Sequence, residues 1–136
     1  SEREALQVQK KLKSNEFTLE DFRDQLRSMR KMGSMKDMIG MLPGMNASSI
    51  KDANIDENKL LHIDAIISSM TIKERQNHKL MNGSRRMRIA KGSGTSVSEI
   101  NRLLKQFIQM RKMMQKLLKV SNPAKAMRMM QDMMPN

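Results

Sequence analysis

Apolar residues recur along this chain at intervals of three and four, and no stretch alternates apolar with polar, so the pattern predicts helices throughout and no sheet. The clearest start lies at Phe17, followed by Thr18-x-x-Asp21, which resembles a capping box. Phe17 and Phe22 there take the N′ and N4 places of a hydrophobic staple. Leu19, Phe22, Leu26 and Met29 then fall at i, i+3, i+7 and i+10, one apolar face that runs to about Met32. Residues 1–16 also read as helical, but polar. The chain opens at Ser1 without Met, so this stretch is expected to be a linker from a larger protein.

From Gly33 to Asp56 the chain is punctuated by Gly33, Gly40, Pro43 and Gly44, yet it carries Met35, Met38, Ile39, Met41, Leu42 and Met45. A segment both broken and apolar reads as a functional loop, with helical spacing kept at Met35, Met38 and Met41. Asp56 can cap a second helix bearing Leu60, Ile63, Ile67 and Met70, and Thr71-x-x-Glu74 is a further capping box opening a shorter helix to about Met81. Residues 83–94 read as a basic turn. Ser96-x-x-Glu99 then opens the longest helix, whose buried side is expected from Val97, Ile100, Leu104, Phe107, Ile108, Met114 and Leu118. Asn122-Pro123 supplies an N-cap and an N1 proline for a last short helix. The expected fold is all-α, a small helical bundle with a helix-turn-helix-like unit made by the short third helix, the basic turn and the long helix.

Composition adds two surfaces to this outline. Methionine contributes 17 of 136 residues against 3 Phe and no Tyr, Trp or Cys. Met on a helical stripe is usually core, but so soft and unbranched a set also suits a groove that moulds itself around apolar helices of different sequence. The net charge of +12 is uneven: residues 1–78 hold 13 Lys/Arg against 12 Asp/Glu, whereas residues 79–136 hold 13 against only Glu99 and Asp132. That is the footprint of a polyanion-binding half joined to a half that does something else. Without Cys there are no disulfides or thiolate metal sites. No secretory signal stands at the N-terminus, and no apolar run reaches the roughly 18–20 residues that cross a bilayer, so the chain reads as cytosolic.

No catalytic constellation is visible. His62 and His78 lack metal-site spacing and read as surface residues, and no phosphate-cradling Gly-Lys-Ser/Thr loop is present. The chemistry sits at 83–96. Arg85, Arg86, Arg88 and Lys91 place four cations within seven residues, leading into Gly92, Ser93 and Gly94 and then a helix N-terminus. Such a run can reach phosphates and base edges while the glycines admit a sugar–phosphate strand, and Ser84, Ser93, Thr95 and Ser96 add hydroxyls. With no aromatic in the motif, base stacking is not expected; recognition should read the shape and shallow minor groove of a folded RNA helix. These residues alone also allow a helix-turn-helix DNA-binding domain with a Met-rich dimerisation surface, or a basic amphipathic protein of membrane surfaces.

The order Met-Leu-Pro-Gly-Met (41–45), Ile-Ile-Ser-Ser-Met-Thr-x-Lys-Glu-Arg (66–75), Ser-Arg-Arg-x-Arg-Ile-Ala-x-Gly-Ser-Gly (84–94) and Asn-Arg-Leu-Leu-Lys-Gln-Phe (101–107) resembles the methionine-rich M domain of the signal recognition particle protein family, over about residues 15–134. The resemblance implies an M domain over 17–136, with a finger loop at about 33–56, and makes 1–16 a linker helix from the family's N-terminal GTPase domain. It implies binding of the hairpin of the particle's RNA through Ser84, Arg85, Arg86, Arg88, Lys91, Gly92, Ser93 and Gly94, with Glu74 on the same surface. Met87 stands where some relatives carry another basic residue. It further implies a groove for signal peptides of nascent chains, drawn from Leu19, Phe22, Leu26, Met29, Met32, Met35, Met38, Met41, Leu42, Met45, Leu60, Ile63, Ile67, Ile108 and Met114. An empty apolar groove could also seat a second copy, as a homodimer. The ribosome would be a partner too, while the membrane receptor, GTP and Mg²⁺ would be engaged by the GTPase domain. No metal or cofactor is expected on this chain, and no catalysis.

Overall fold

The computed structural model describes residues 1–40, 57–120 and 122–133, with the side chains of 34–40 not among them. Along these residues run seven α-helices and no strand, in agreement with the all-α expectation: α1 (Glu2–Lys13), α2 (Leu19–Gly40), α3 (Glu57–Ser68), α4 (Ile72–Gln76), α5 (Gly83–Ser93), α6 (Val97–Leu118) and α7 (Pro123–Met133). A 3-10 turn at His78–Leu80 lies between α4 and α5. None of the described helices is long and apolar enough to cross a membrane.

The helix starts follow the capping chemistry. At α2 the Asp21 amide donates to the Thr18 hydroxyl at 3.2 Å while the Thr18 amide donates back to the Asp21 carboxylate at 3.0 Å. Thr71 and Glu74 make the same reciprocal pair at α4, and Ser96 and Glu99 at α6. At α7 the Asn122 side chain accepts from the Ala124 amide at 3.0 Å, with Pro123 in the first helical position. Each such cap contributes about 1 kcal/mol by satisfying amides that a helix cannot pair internally. Asp56, the expected cap of α3, lies outside the described residues.

Two boundaries differ from the expected ones. The first concerns α2, which passes straight through Gly33 and continues to Gly40, so the opening of the segment read as a loop is helical. The second concerns 83–93, which is not a turn but an eleven-residue helix, so a further helix stands between α4 and α6 and the turn before α6 shrinks to residues 94–96. Asn82 caps α5 by accepting from the Arg85 amide at 2.9 Å, and Arg-Arg-Met-Arg-Ile-Ala-Lys is a run of good helix formers. The stop is Gly94, at φ 70°, a left-handed C-terminal position that glycine takes without strain.

All three phenylalanines meet at α6. Phe17 and Phe22 lie 6.4 and 5.8 Å from Phe107, ring centre to ring centre, and His78 sets its edge 5.6 Å from the same ring. The Arg111 guanidinium covers Phe107 at 5.3 Å and donates to the Phe17 carbonyl at 3.2 Å. His78 is thus a packing residue rather than a surface one; burial, with Arg111 and Lys79 nearby, lowers its pKa and keeps it neutral at pH 7. Around this cluster pack Leu19, Ile66, Ile67, Met70, Met81, Ile89, Ile100, Leu103 and Leu104.

The N-terminal helix joins the same core. Although α1 is mostly polar, Leu12 is only 5% exposed, Val8 packs beside it, and the Gln115 amide donates to the Lys13 carbonyl at 3.1 Å. Leu12→Ala should therefore destabilise the whole domain by about 2–5 kcal/mol, as burial of a leucine in a shared core requires. Urea denaturation followed by circular dichroism checks this, and an unchanged midpoint would show that α1 contributes nothing to the fold.

Candidate nucleic-acid and apolar surfaces

Glu74 organises the basic surface. Its side chain is fully buried, the only charged residue so placed among those described. As the N3 residue of α4 it accepts from the Thr71 amide at 2.8 Å, and its two oxygens also take Arg85 Nη1, at 3.0 Å, and Arg88 Nη2. Residues 85 and 88 are one turn apart on α5, so both guanidiniums reach one carboxylate. The amide and the two arginines outweigh desolvation and hold the Glu74 pKa down to about 2.

A guanidinium carries five N–H donors and each arginine spends one on Glu74, while the side chains of Arg85 and Arg88 stay 37% and 51% exposed on a fixed base. Arg86 does something else. It turns inward, donating to the Met81 carbonyl at 3.2 Å and to Asn101 of α6, and so ties α5 to α6. Ser84, Lys91, Gly92 and Gly94 are exposed, whereas the Ser93 hydroxyl is committed to the Ile89 carbonyl at 2.7 Å and stands 2.8 Å from that of Thr95. The α6 N-terminus is already occupied by an anion: the Glu99 carboxylate accepts from the Ser96 amide at 2.8 Å. The sequence pattern assigns no role to Asn82 or to Asn101; for the first, the signal is an Asn three residues before Arg85, in N-cap position for a helical run.

The two glycines differ physically. Gly94 needs its left-handed backbone, but Gly92 is an ordinary helical residue, and a Cβ there would meet nothing closer than Ser69 at 3.9 Å. Neither backbone nor packing asks for glycine at 92, where it costs up to about 1 kcal/mol in a helix relative to alanine.

The apolar candidates divide. Leu19 and Ile67 are fully buried in the core, and Leu26 and Leu60 are buried on α2 and α3 outside the main cluster. Phe22, Ile63, Ile108 and Met114 are half-buried and packed against the core. Met29 and Met32, 44% and 60% exposed, carry the apolar face of α2 out into solvent, and Leu61 is exposed on α3. The side chains of Met35 and Met38, and all of Met41, Leu42 and Met45, lie outside the described residues. The α2–α3 pair is fixed by Arg27, which makes two hydrogen bonds to Asp64, at 2.7 and 2.9 Å, while Ser68 donates to the same carboxylate at 2.9 Å. These contacts lower the Asp64 pKa. No cluster of three or more metal-ligating side chains occurs among the described residues.

Residues 1–135 match the family described as signal peptide binding domain. The chain is 45% identical over 125 residues to the signal recognition particle protein of Bacillus subtilis, covering 91% of this chain and 28% of that protein. It is likewise 45% identical over 135 residues to the protein of that name from Escherichia coli K12, with 97% and 29% covered, and 47% identical over 117 residues to that of Helicobacter pylori J99, with 84% and 26% covered. The chain thus spans under a third of the length of these relatives.

Glu74 sets a pH dependence. Its folded pKa, about 2, lies below the ordinary 4.5, so its stabilisation is complete above pH 4.5 and is lost as pH falls toward 2. The part lost should be on the order of 2 kcal/mol, after discounting for solvent around the half-exposed arginines. Thermal melts from pH 6 to 2 should show this decline in the wild type and a flatter one in Glu74→Gln. Parallel curves would mean that Glu74 does not carry it.

Proposed function

The chain belongs to the signal peptide binding domain family, and on that footing we propose that it binds the hydrophobic signal peptides of nascent chains for co-translational targeting to the membrane, as part of a signal recognition particle whose RNA hairpin it grips through α5. The peptide would lie against the exposed methionines of α2 and the Met-rich segment that follows. Unbranched, polarizable side chains suit signals that share hydrophobicity rather than sequence.

The observation that carries the RNA reading is Gly92. It stands exposed on a helix that would be more stable with alanine, one turn from the Glu74-anchored Arg88, and a bare backbone there lets a sugar–phosphate strand come close. Arg85 and Arg88, held in place before binding, lose little freedom when they engage bases or phosphates, which favours affinity and selectivity. The cytosol as workplace, the ribosome as partner, and GTP, Mg²⁺ and the membrane receptor as ligands of the portion of the relatives beyond this chain complete the proposal. A DNA-binding reading has no support, since the family and the relatives are those of signal recognition particle proteins.

Gly92→Ala should keep or raise thermal stability, by up to about 1 kcal/mol, while weakening binding to the RNA hairpin. Unchanged RNA affinity would remove the reason given for this glycine. Arg88→Ala should lose on the order of 1–3 kcal/mol of RNA binding, measured by filter retention. Deletion of residues 35–45 should leave RNA affinity intact and sharply reduce crosslinking to a signal peptide; full crosslinking yield would exclude that segment from the peptide site.

A further inference from the structure

The longest helix carries a second concentration of charge that the α5 site does not use. Arg102, Lys105, Lys112 and Lys116 on α6, and Lys119 at its C-cap, follow one another at i, i+3, i+10, i+14 and i+17, with Gln109 in the i+7 place, and all six are exposed. On an α-helix that spacing makes one stripe, here on the side away from Ile100, Leu104 and Phe107, and its length is about 26 Å at the ordinary helical rise.

Three observations bear on what the stripe meets. None of its five cations forms an ion pair with a described residue, so their charge is not neutralised within the described fold. Arg102 and Lys105, Lys112 and Lys116, and Lys116 and Lys119 are helical neighbours of like charge, an arrangement that weakens an isolated helix and has no return within the fold. Finally, α6 exposes no large apolar side chain, which an element that settles among lipid headgroups requires, while lysine charges repeated about once per turn suit a line of phosphates.

The stripe also adjoins α5. Asn101, next to Arg102, accepts the hydrogen bond from Arg86, and Lys59 of α3 lines the same recess as Arg102. We propose that this stripe follows the phosphate backbone of the stem of the same RNA whose hairpin α5 grips, adding a sequence-independent contact beyond the hairpin. The inference rests on the RNA reading above and extends it from a point contact to a track.

The test compares two RNAs sharing one hairpin, the first with a minimal stem and the second with its stem lengthened by a full duplex turn, over a salt series. The protein is used as wild type and with Lys105→Gln, Lys112→Gln, Lys116→Gln and Lys119→Gln combined, exposed changes to a good helix former whose fold is checked by thermal melting. The long RNA should lose affinity on the order of tenfold or more in the variant, its salt slope falling by about one unit per lysine, with the minimal hairpin unaffected. Equal losses on both RNAs, or none on either, would overturn the track. So would retention on anionic phosphatidylglycerol vesicles that the variant loses while its long-RNA affinity stays unchanged. If the wild type fails to prefer the minimal RNA hairpin over its DNA counterpart, the underlying RNA reading fails instead.

Discussion

The buried carboxylate of Glu74 is the contact on which the basic surface depends. A lone ionised carboxylate in a protein interior is expensive, and it survives here because one amide and two guanidiniums surround it. The geometry joins three levels of structure. The capping box that starts α4 fixes the carboxylate; the helical repeat of α5 sets Arg85 and Arg88 one turn apart to meet it; and packing of α5 on α3 and α6 holds that repeat in register. Removing the charge would therefore unsettle a helix start, a helix–helix contact and the placement of two exposed arginines together.

The second organising element is α6. Its core face gathers the three phenylalanines, Arg111 and the N-terminal helix around Phe107, and Asn101 binds it to α5 through Arg86. The start of α2 joins the same cluster through Leu19 and Phe22, and its middle is held to α3 by the Arg27–Asp64–Ser68 contact, so Met29 and Met32 stand exposed beyond both anchors. An apolar surface of adaptable residues is thus carried by a helix that holds none of the arginines bound to Glu74. The soft side chains and the rigid charges thus occupy different helices of one small domain.

Much of this was legible in the sequence wherever local chemistry decides structure. The boxes at Thr18, Thr71 and Ser96 and the Asn122-Pro123 start are short-range patterns with a single good solution. Legibility failed where glycine served as punctuation: Gly33 lies inside α2, and Gly83 and Gly92 lie inside α5, because neighbouring helix formers and caps outweigh a single glycine. It failed again for Leu12 and His78, whose burial is decided by partners far along the chain. The basic residues were found by density alone, but the division of labour between outward Arg85 and Arg88 and inward Arg86 depends on where Glu74 and Asn101 stand. Nor could spacing separate Leu19 and Ile67, which are core, from Met29 and Met32, which are surface, since all four lie on apolar helix faces.

The most direct measurement is the ratio of affinities for an RNA hairpin of the particle and a DNA hairpin of identical sequence, in the wild type and in Glu74→Gln, at fixed salt and pH 7. If Glu74 presets the arginines for one folded RNA, the wild type will strongly prefer RNA and the variant will lose much of that preference, whatever happens to its overall affinity for polyanions. The same ratio in both proteins would contradict the account, leaving the arginines as charges whose arrangement does not matter.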